Sequence, residues 1–386
     1  MRNGYKVYDS DTHIQPSLET IEPYLDPDIR ARLPELEQYL VPVTYESSGL
    51  AIENPTRHVV RPGVIRYRRV LGDAGPPEKP VTNYGKFQGS RHPSRGTADY
   101  DVEARLRDMD EEGVDVCLMV PNVPMGLQIL DDPALEMGFI RAYSRYFDDF
   151  CSKAPERLKA LMVVTGRDVP GSVAELKKWS KARWAVGAWP FPGMEMPMDH
   201  PNMEPIWKTL EEEGLAIVNH SLAWDPPFWP GYRDVWDNLF IGRAGAHPWG
   251  AMRALASFIG SGIMDRYPSI RLAILESGCG WLPFWARRLE DQADYVGTTA
   301  PLLHKVGEYF TNGRFFSSIE MHEGEDMIKM VRDFLGEDVL MYASDYPHPE
   351  SRFPDSVDSV LAWESLKGEA VEKVMWSNAV RLYGEP

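Results

Sequence analysis

Eight short β-branched or apolar runs, each followed by a longer amphipathic segment, limit what this chain can fold into more than any other feature. The runs are YKVYDSD (5–11), VDVCLMV (114–120), LKALMVV (158–164), WAVGAW (184–189), LAIVNH (215–220), IRLAILES (270–277), RFFSSIE (314–320) and VLMYASD (339–345). Parallel strands joined by crossover helices have this appearance, because strands covered on both faces are nearly continuous in apolar residues. The segments between them carry helix punctuation. DVEARLRDMDEEG opens on Asp101 as a cap and closes on Gly113, SVAELKKWSKA follows Pro170 and Gly171, and PNMEPIWKTLEEEG repeats the grammar. An order of β then α, repeated eight times in 386 residues, predicts an α/β fold of the (β/α)8 TIM-like barrel type. A doubly wound open sheet uses the same alternation and stands as the alternative, although no GxGxxG follows the first strand.

Residues 20–98 break the pattern. They hold many Pro, Gly and Arg, as in RPGVIRYRRVLGDAGPPEKP, and show no helical period. The reading is a single barrel domain over 1–386 with 20–98 as an insertion after the first strand, forming a small cap or an oligomer contact.

The apolar share of 43% supplies a large core, and a formal charge of −17 opposes binding to nucleic acid or an anionic membrane, which needs a positive surface. Cys117, Cys151 and Cys279 are an odd number without metal-site spacing, which suggests reduced thiols. With no signal-peptide h-region and no membrane-length apolar run, the expectation is a soluble, cytoplasmic protein.

In a barrel of this kind the working residues sit at the carboxyl ends of strands, where the loops surround a shared mouth. Strand one ends in DSDTHIQP, strand five in VNHSL, strand six in LESGCGW and strand eight in ASDYPHP. Asp11 and His13 are two positions apart, so on extended backbone they face one side. His220 and Asp345 add an imidazole and a carboxylate from distant strand ends. Each residue alone has a bland explanation, as a core histidine or a helix cap. Together they form an N2O2 set suited to one zinc or manganese ion with an open position.

These motifs carry a family resemblance that spans nearly the whole chain: DxH at strand one, MDEEGVDVCLMVPN at strand two, VNH at strand five, GIMDRYPSIRLAILESGCGWLPFWARRLE around strand six and SDYPH at strand eight. The sequence resembles the amidohydrolase superfamily, in the branch that contains aminocarboxymuconate semialdehyde decarboxylase, γ-resorcylate decarboxylase and 5-carboxyvanillate decarboxylase. The resemblance implies a mononuclear divalent metal in a barrel, with Asp11, His13, His220 and Asp345 at the ligand positions. A carboxylate at the first position resembles the ExH variants and should favour a harder ion such as Mn2+.

Where many members have a histidine after strand six, this chain has Glu276, read as a structural acid paired with an arginine, a proton-transfer residue, or an indirect ligand. His247, in GAHPWGAM, and His348 are placed in loops facing the mouth, to orient substrate or support the ligands. In WDPPFWPGYRDVWDNLF, the rings of Trp224, Phe228, Trp229, Tyr232 and Trp236 either staple helices or wall a pocket for a flat substrate, and Arg233 or Arg243 can hold a carboxylate.

The activity implied is metal-dependent, non-oxidative decarboxylation of an aromatic or unsaturated carboxylic acid, with Asp345 protonating the carbon that loses CO2. The rivals are metal-dependent hydrolysis of an amide, lactone or carbon–carbon bond, and a non-catalytic barrel that keeps the ion for structure. The expected partners are a small carboxylate substrate and a second copy of the chain in a homodimer.

Overall fold

The computed structural model describes residues 1–43, 54–60, 99–122, 127, 130–192, 196–220 and 239–386. Eight parallel strands follow one another in sequence order: β1 (Tyr8–Ile14), β2 (Val116–Pro121), β3 (Leu158–Thr165), β4 (Ala185–Phe191), β5 (Ala216–His220), β6 (Leu272–Leu275), β7 (Phe315–Ser318) and β8 (Leu340–Met341). Every residue of seven of them is buried, and in β4 only Val186 is partly exposed. That burial on both faces is why the sequence shows apolar runs and not alternation.

The last strand returns to the first. Ser10 N–H donates to the Tyr342 carbonyl at 3.0 Å, Asp345 N–H to the Asp11 carbonyl at 3.0 Å, and His13 N–H to the Tyr346 carbonyl at 2.6 Å. With Thr12 bridged in parallel to Tyr346, the sheet closes into a TIM barrel, and the open-sheet alternative falls away.

Strand ends differ from the sequence expectation for local reasons. β1 runs three residues later because its partners Val120 and Pro121 pair with His13 and Ile14. β8 is only two residues long. Beyond Met341 the Tyr342 N–H turns to the Val374 carbonyl at 2.8 Å, and the Asn378 side-chain amide supplies a donor to the Leu340 carbonyl at 2.8 Å.

The helix signals hold where caps were legible. Helix Val102–Glu112 opens with the Asp101 carboxylate accepting from Ala104 N–H at 2.9 Å and closes on Gly113 at φ 88°. Helix Val169–Trp179 starts ahead of Ser172, because Pro170 fits a first turn and Asp168 caps it by accepting from Gly171 N–H at 2.9 Å. Helix Leu239–Gly260 contains Pro248, so His247 lies in a helix and not in the expected loop. Ala251, Ala254, Leu255, Phe258 and Ile259, all buried at helical spacing, carry the helix past the proline.

The described part of 20–98 is short helical turns, Leu18–Ile21, Pro27–Arg30 and Leu33–Tyr39, followed by strand Leu40–Val43 paired antiparallel with Asn54–Val60. Turns of that length cannot display a helical period. They dock on helix Pro133–Cys151: Asp26 accepts from Arg141 at 3.0 Å and from Arg145 at 2.7 Å, and the Tyr24 hydroxyl donates to Asp149 at 2.7 Å. Ile29 lies so close to Gly138 that an added Cβ would sit 2.5 Å from it. The three cysteines are buried and free, and among the described residues no helix is long and apolar enough to cross a membrane.

Candidate metal centre

Four strand ends deliver side chains to one buried point. Asp11 and His13 come from β1, His220 is the last residue of β5, Glu276 follows β6, and Asp345 lies past β8. Glu276 and Asp345 sit in left-handed backbone, at φ 48° and 62°. Side-chain-bearing residues avoid that region unless the surroundings enforce it, and such residues gather at functional sites. Here the turn swings each carboxylate out of the strand and toward the barrel axis.

The distances are short and mutual. His13 Nε2 lies 2.9 Å from Asp345 Oδ1, 3.7 Å from Asp11 Oδ1 and 3.7 Å from Glu276 Oε2. His220 Nε2 lies 3.0 Å from Glu276 Oε2 and 3.5 Å from Asp11 Oδ2. The two imidazoles stand edge to face, with centroids 5.0 Å apart. Around this core His348 Nε2 is 3.9 Å from Asp345 Oδ1, and His247 Nδ1 is 3.8 Å from Glu276 Oε1. The residues singled out in the sequence, Asp11, His13, His220, Glu276, His247, Asp345 and His348, are therefore together. Trp224 and Arg233, with the rest of the aromatic run, lie outside the described residues, and so does the side chain of Arg243.

Burial sets the electrostatics. It raises the carboxyls of Asp11 and Asp345, and for Asp345 the neighbouring Glu276, Glu350 and Asp11 push the same way. His13 is pushed well below the usual imidazole range by burial and by His348 and His220. His220 goes the other way: burial opposes its charge, but Asp11 and Glu276 raise it to about 10. For Glu276, burial is outweighed by His220, which holds the carboxyl well below its usual range. Glu320, two residues past β7, is pushed well up by burial and by Asp11 and Glu276. The cluster thus holds more acidic than basic side chains, and without a further positive charge burial and their mutual repulsion drive Asp11, Asp345 and Glu320 toward the protonated form.

A divalent cation fits that deficit. Both oxygens of Asp11, His13 Nε2, His220 Nε2 and Asp345 Oδ1 are buried and face one another as imidazole–carboxylate pairs, but none meets the geometry of a hydrogen bond among the described residues. A buried polar atom without a well-formed hydrogen bond costs about 1–3 kcal/mol, and one cation between these five atoms would satisfy them together. Asp11, His13 and His220 can offer donor atoms to a common ion, as can His13, Asp345 and His348.

Sequence reasoning missed the group that aims His13. Asn122, immediately after β2, places its Oδ1 2.5 Å from His13 Nδ1. The ring must donate from Nδ1, so Nε2 keeps its lone pair for the cluster, an arrangement typical of metal-ligating histidines. The strand-end rule would have found Asn122 in MVPN. Trp189, near the end of β4, was also passed over; its ring packs 4.7 Å from His220.

Comparison with known proteins agrees with this architecture. A γ-resorcylate decarboxylase from a Polaromonas species is 21% identical over 296 residues, covering 73% of this chain and 86% of that one. A 5-carboxyvanillate decarboxylase from Novosphingobium aromaticivorans, solved with manganese and 4-hydroxy-3-methoxy-5-nitrobenzoic acid, superposes with TM-score 0.69 at 19% identity, over 99% of this chain and 97% of that one. An amidohydrolase from Mycobacterium avium subsp. paratuberculosis superposes with TM-score 0.73 at 18% identity, over 99% and 100% of the two chains. Residues 12–384 match the sequence pattern of the amidohydrolase family, and this chain belongs to that family.

Proposed function

We propose that this chain is a metal-dependent, non-oxidative decarboxylase of an aromatic or unsaturated carboxylic acid. The observation that carries the reading is the convergence of Asp11, His13, His220 and Asp345, with donor atoms lacking hydrogen bonds, at one end of the barrel. The decarboxylases of similar fold and sequence add weight to the carbon–carbon lyase chemistry. Asp11, His13, His220 and Asp345 would hold one divalent ion, and the carboxylate share of the donors favours manganese over zinc. When bound, the ion supplies positive charge that orients the substrate carboxylate and a neighbouring oxygen.

The chain's own residues handle the proton. Asp345 is buried among acids that keep it protonatable, and its two oxygens allow it both to face the ion and to carry a proton. It delivers that proton to the carbon that loses CO2. The electron pair of the broken carbon–carbon bond stays on that carbon, CO2 departs, and a solvent proton restores Asp345. His348 is the next titratable group on that side and would orient substrate. Glu276 and His247 lie beside His220; Trp224 and Arg233 would bind the ring and carboxylate from the segment after β5.

Metal-dependent hydrolysis, with Asp345 as the base, is the second reading, favoured by the family match. Incubating manganese-loaded protein with a panel of hydroxybenzoates separates the two. Released CO2 with the decarboxylated phenol supports the proposal. Ester or amide turnover without CO2 transfers the chain to the hydrolases, and metal binding with no turnover of either kind supports a ligand-binding barrel. The proposal also takes 1–386 as one barrel domain with 20–98 as a cap, acting as a cytoplasmic homodimer.

A further inference from the structure

We propose that Glu276 is a fifth donor to the same ion, so that the centre is an N2O3 site and not the four-residue set alone. The inference rests on the metal-dependent reading above. Two donors that each lie about 2.1 Å from one ion are about 3.0 Å apart when they subtend a right angle, and about 3.6 Å apart near 120°. The separations of Glu276 Oε2 fall in that range, at 3.0 Å from His220 Nε2 and 3.7 Å from His13 Nε2. They match the separations among the other donors, 2.9 Å for His13 to Asp345, 3.7 Å for His13 to Asp11 and 3.5 Å for His220 to Asp11. Glu276 Oε2 thus stands at ligand-to-ligand spacing from both imidazole nitrogens of the cluster.

The backbone is built to hold it there. The left-handed turn at Glu276 is fixed by its N–H donating to Ser318 Oγ at 3.1 Å. The following turn is fixed by Glu323, whose carboxylate accepts from Cys279 N–H at 2.6 Å and Gly280 N–H at 3.1 Å. Gly278, at φ 65°, is required in that turn, since a Cβ would meet Glu323 Oε1 at 2.5 Å. The second oxygen, Oε1, faces His247 Nδ1 at 3.8 Å, so His247 stands as a positioning residue for the carboxylate.

Three carboxylates and two imidazoles make an oxygen-rich set that suits a six-coordinate, hard ion and leaves one position open. Zinc, which prefers four nitrogen or sulfur-rich donors, would gain less from Glu276 than manganese does.

A crystal structure of the manganese-loaded protein decides the matter, with Mn2+ affinity of wild type and Glu276→Gln measured in solution by the resonance of free Mn2+. The expected result is a Glu276 oxygen within about 2.4 Å of the ion. Glu276→Gln should then bind Mn2+ at least about 10-fold more weakly, with Glu276→Asp recovering part of the loss. A manganese ion bound by Asp11, His13, His220 and Asp345, with Glu276 farther than about 3 Å, would overturn the inference and leave the proposed function standing. Wild-type protein that takes up no Mn2+ at this cluster would bring down both. The distance in the wild-type structure remains decisive should the glutamine variant fail to fold.

Discussion

Replacing Asn122 with leucine tests whether the imidazole of His13 is set for a cation by its neighbour. The contact is a 2.5 Å hydrogen bond from His13 Nδ1 to Asn122 Oδ1, with the His13 side chain buried. Leucine is close to isosteric and cannot accept, so the Nδ1–H loses its partner and the ring is free to change tautomer or rotate. A hydrogen bond of this kind, whose loss leaves a buried donor unsatisfied, is worth about 1–3 kcal/mol. At 1.4 kcal/mol per factor of ten, that is a loss of about 5- to 150-fold in Mn2+ affinity, in line with what outer partners of metal ligands contribute. Asn122→Asp keeps an acceptor and strengthens it, so its affinity should stay within about threefold of wild type or rise. The assay is equilibrium titration with Mn2+ at fixed pH, with melting temperature as a check on folding. If the leucine variant binds Mn2+ as tightly as wild type while remaining folded, then His13 does not present Nε2 to an ion through Asn122.

Two further outcomes follow from parts of the molecule away from the centre. Burial raises the carboxyl of Glu112 from 4.5 to about 7, although Ser356 and the Val357 N–H, at 3.0 Å, both donate to it. The folded state therefore holds this proton over a pH range in which the unfolded chain has lost it, so stability falls as pH rises from 4.5 to about 7. The gap is worth about 3 kcal/mol in all; urea melts at pH 5 and 7.5 should show a loss in wild type that is smaller by about this amount in Glu112→Gln, the remainder belonging to other buried acids such as Asp9, which burial raises to about 7. Gly138→Ala should lower the melting temperature, because a methyl 2.5 Å from Ile29 costs about 1–3 kcal/mol of overpacking, more than the roughly 1 kcal/mol gained in helix propensity. A variant melting above wild type would refute the close docking of the first helical turns.

The parts of this architecture that were legible in the sequence are those fixed by short-range chemistry. Asp101 and Gly113 announce a helix because cap and left-handed terminus are local, and the eight apolar runs announce buried strands because both faces are covered. Asp11, His13, His220 and Asp345 could be picked as a group since each ends a strand, and a barrel brings strand ends to one rim. What failed depended on tertiary context. His247 was expected in a loop, but buried neighbours further along carry a helix through Pro248 and include it. Glu276 was visible as a departure from a family pattern, but its aim depends on Ser318 and Glu323, more than 40 positions away. Asn122 reads as a loop residue until His13 is placed beside it from a segment 109 positions earlier.

The central claim is that far-separated strand ends share a single cation, and metal stoichiometry tests it most directly. Wild-type protein loaded with Mn2+ and desalted should retain one ion per chain, whereas His220→Ala and His13→Ala, folded by circular dichroism, should retain essentially none. Wild type without bound metal, or variants that keep a full equivalent, would contradict it.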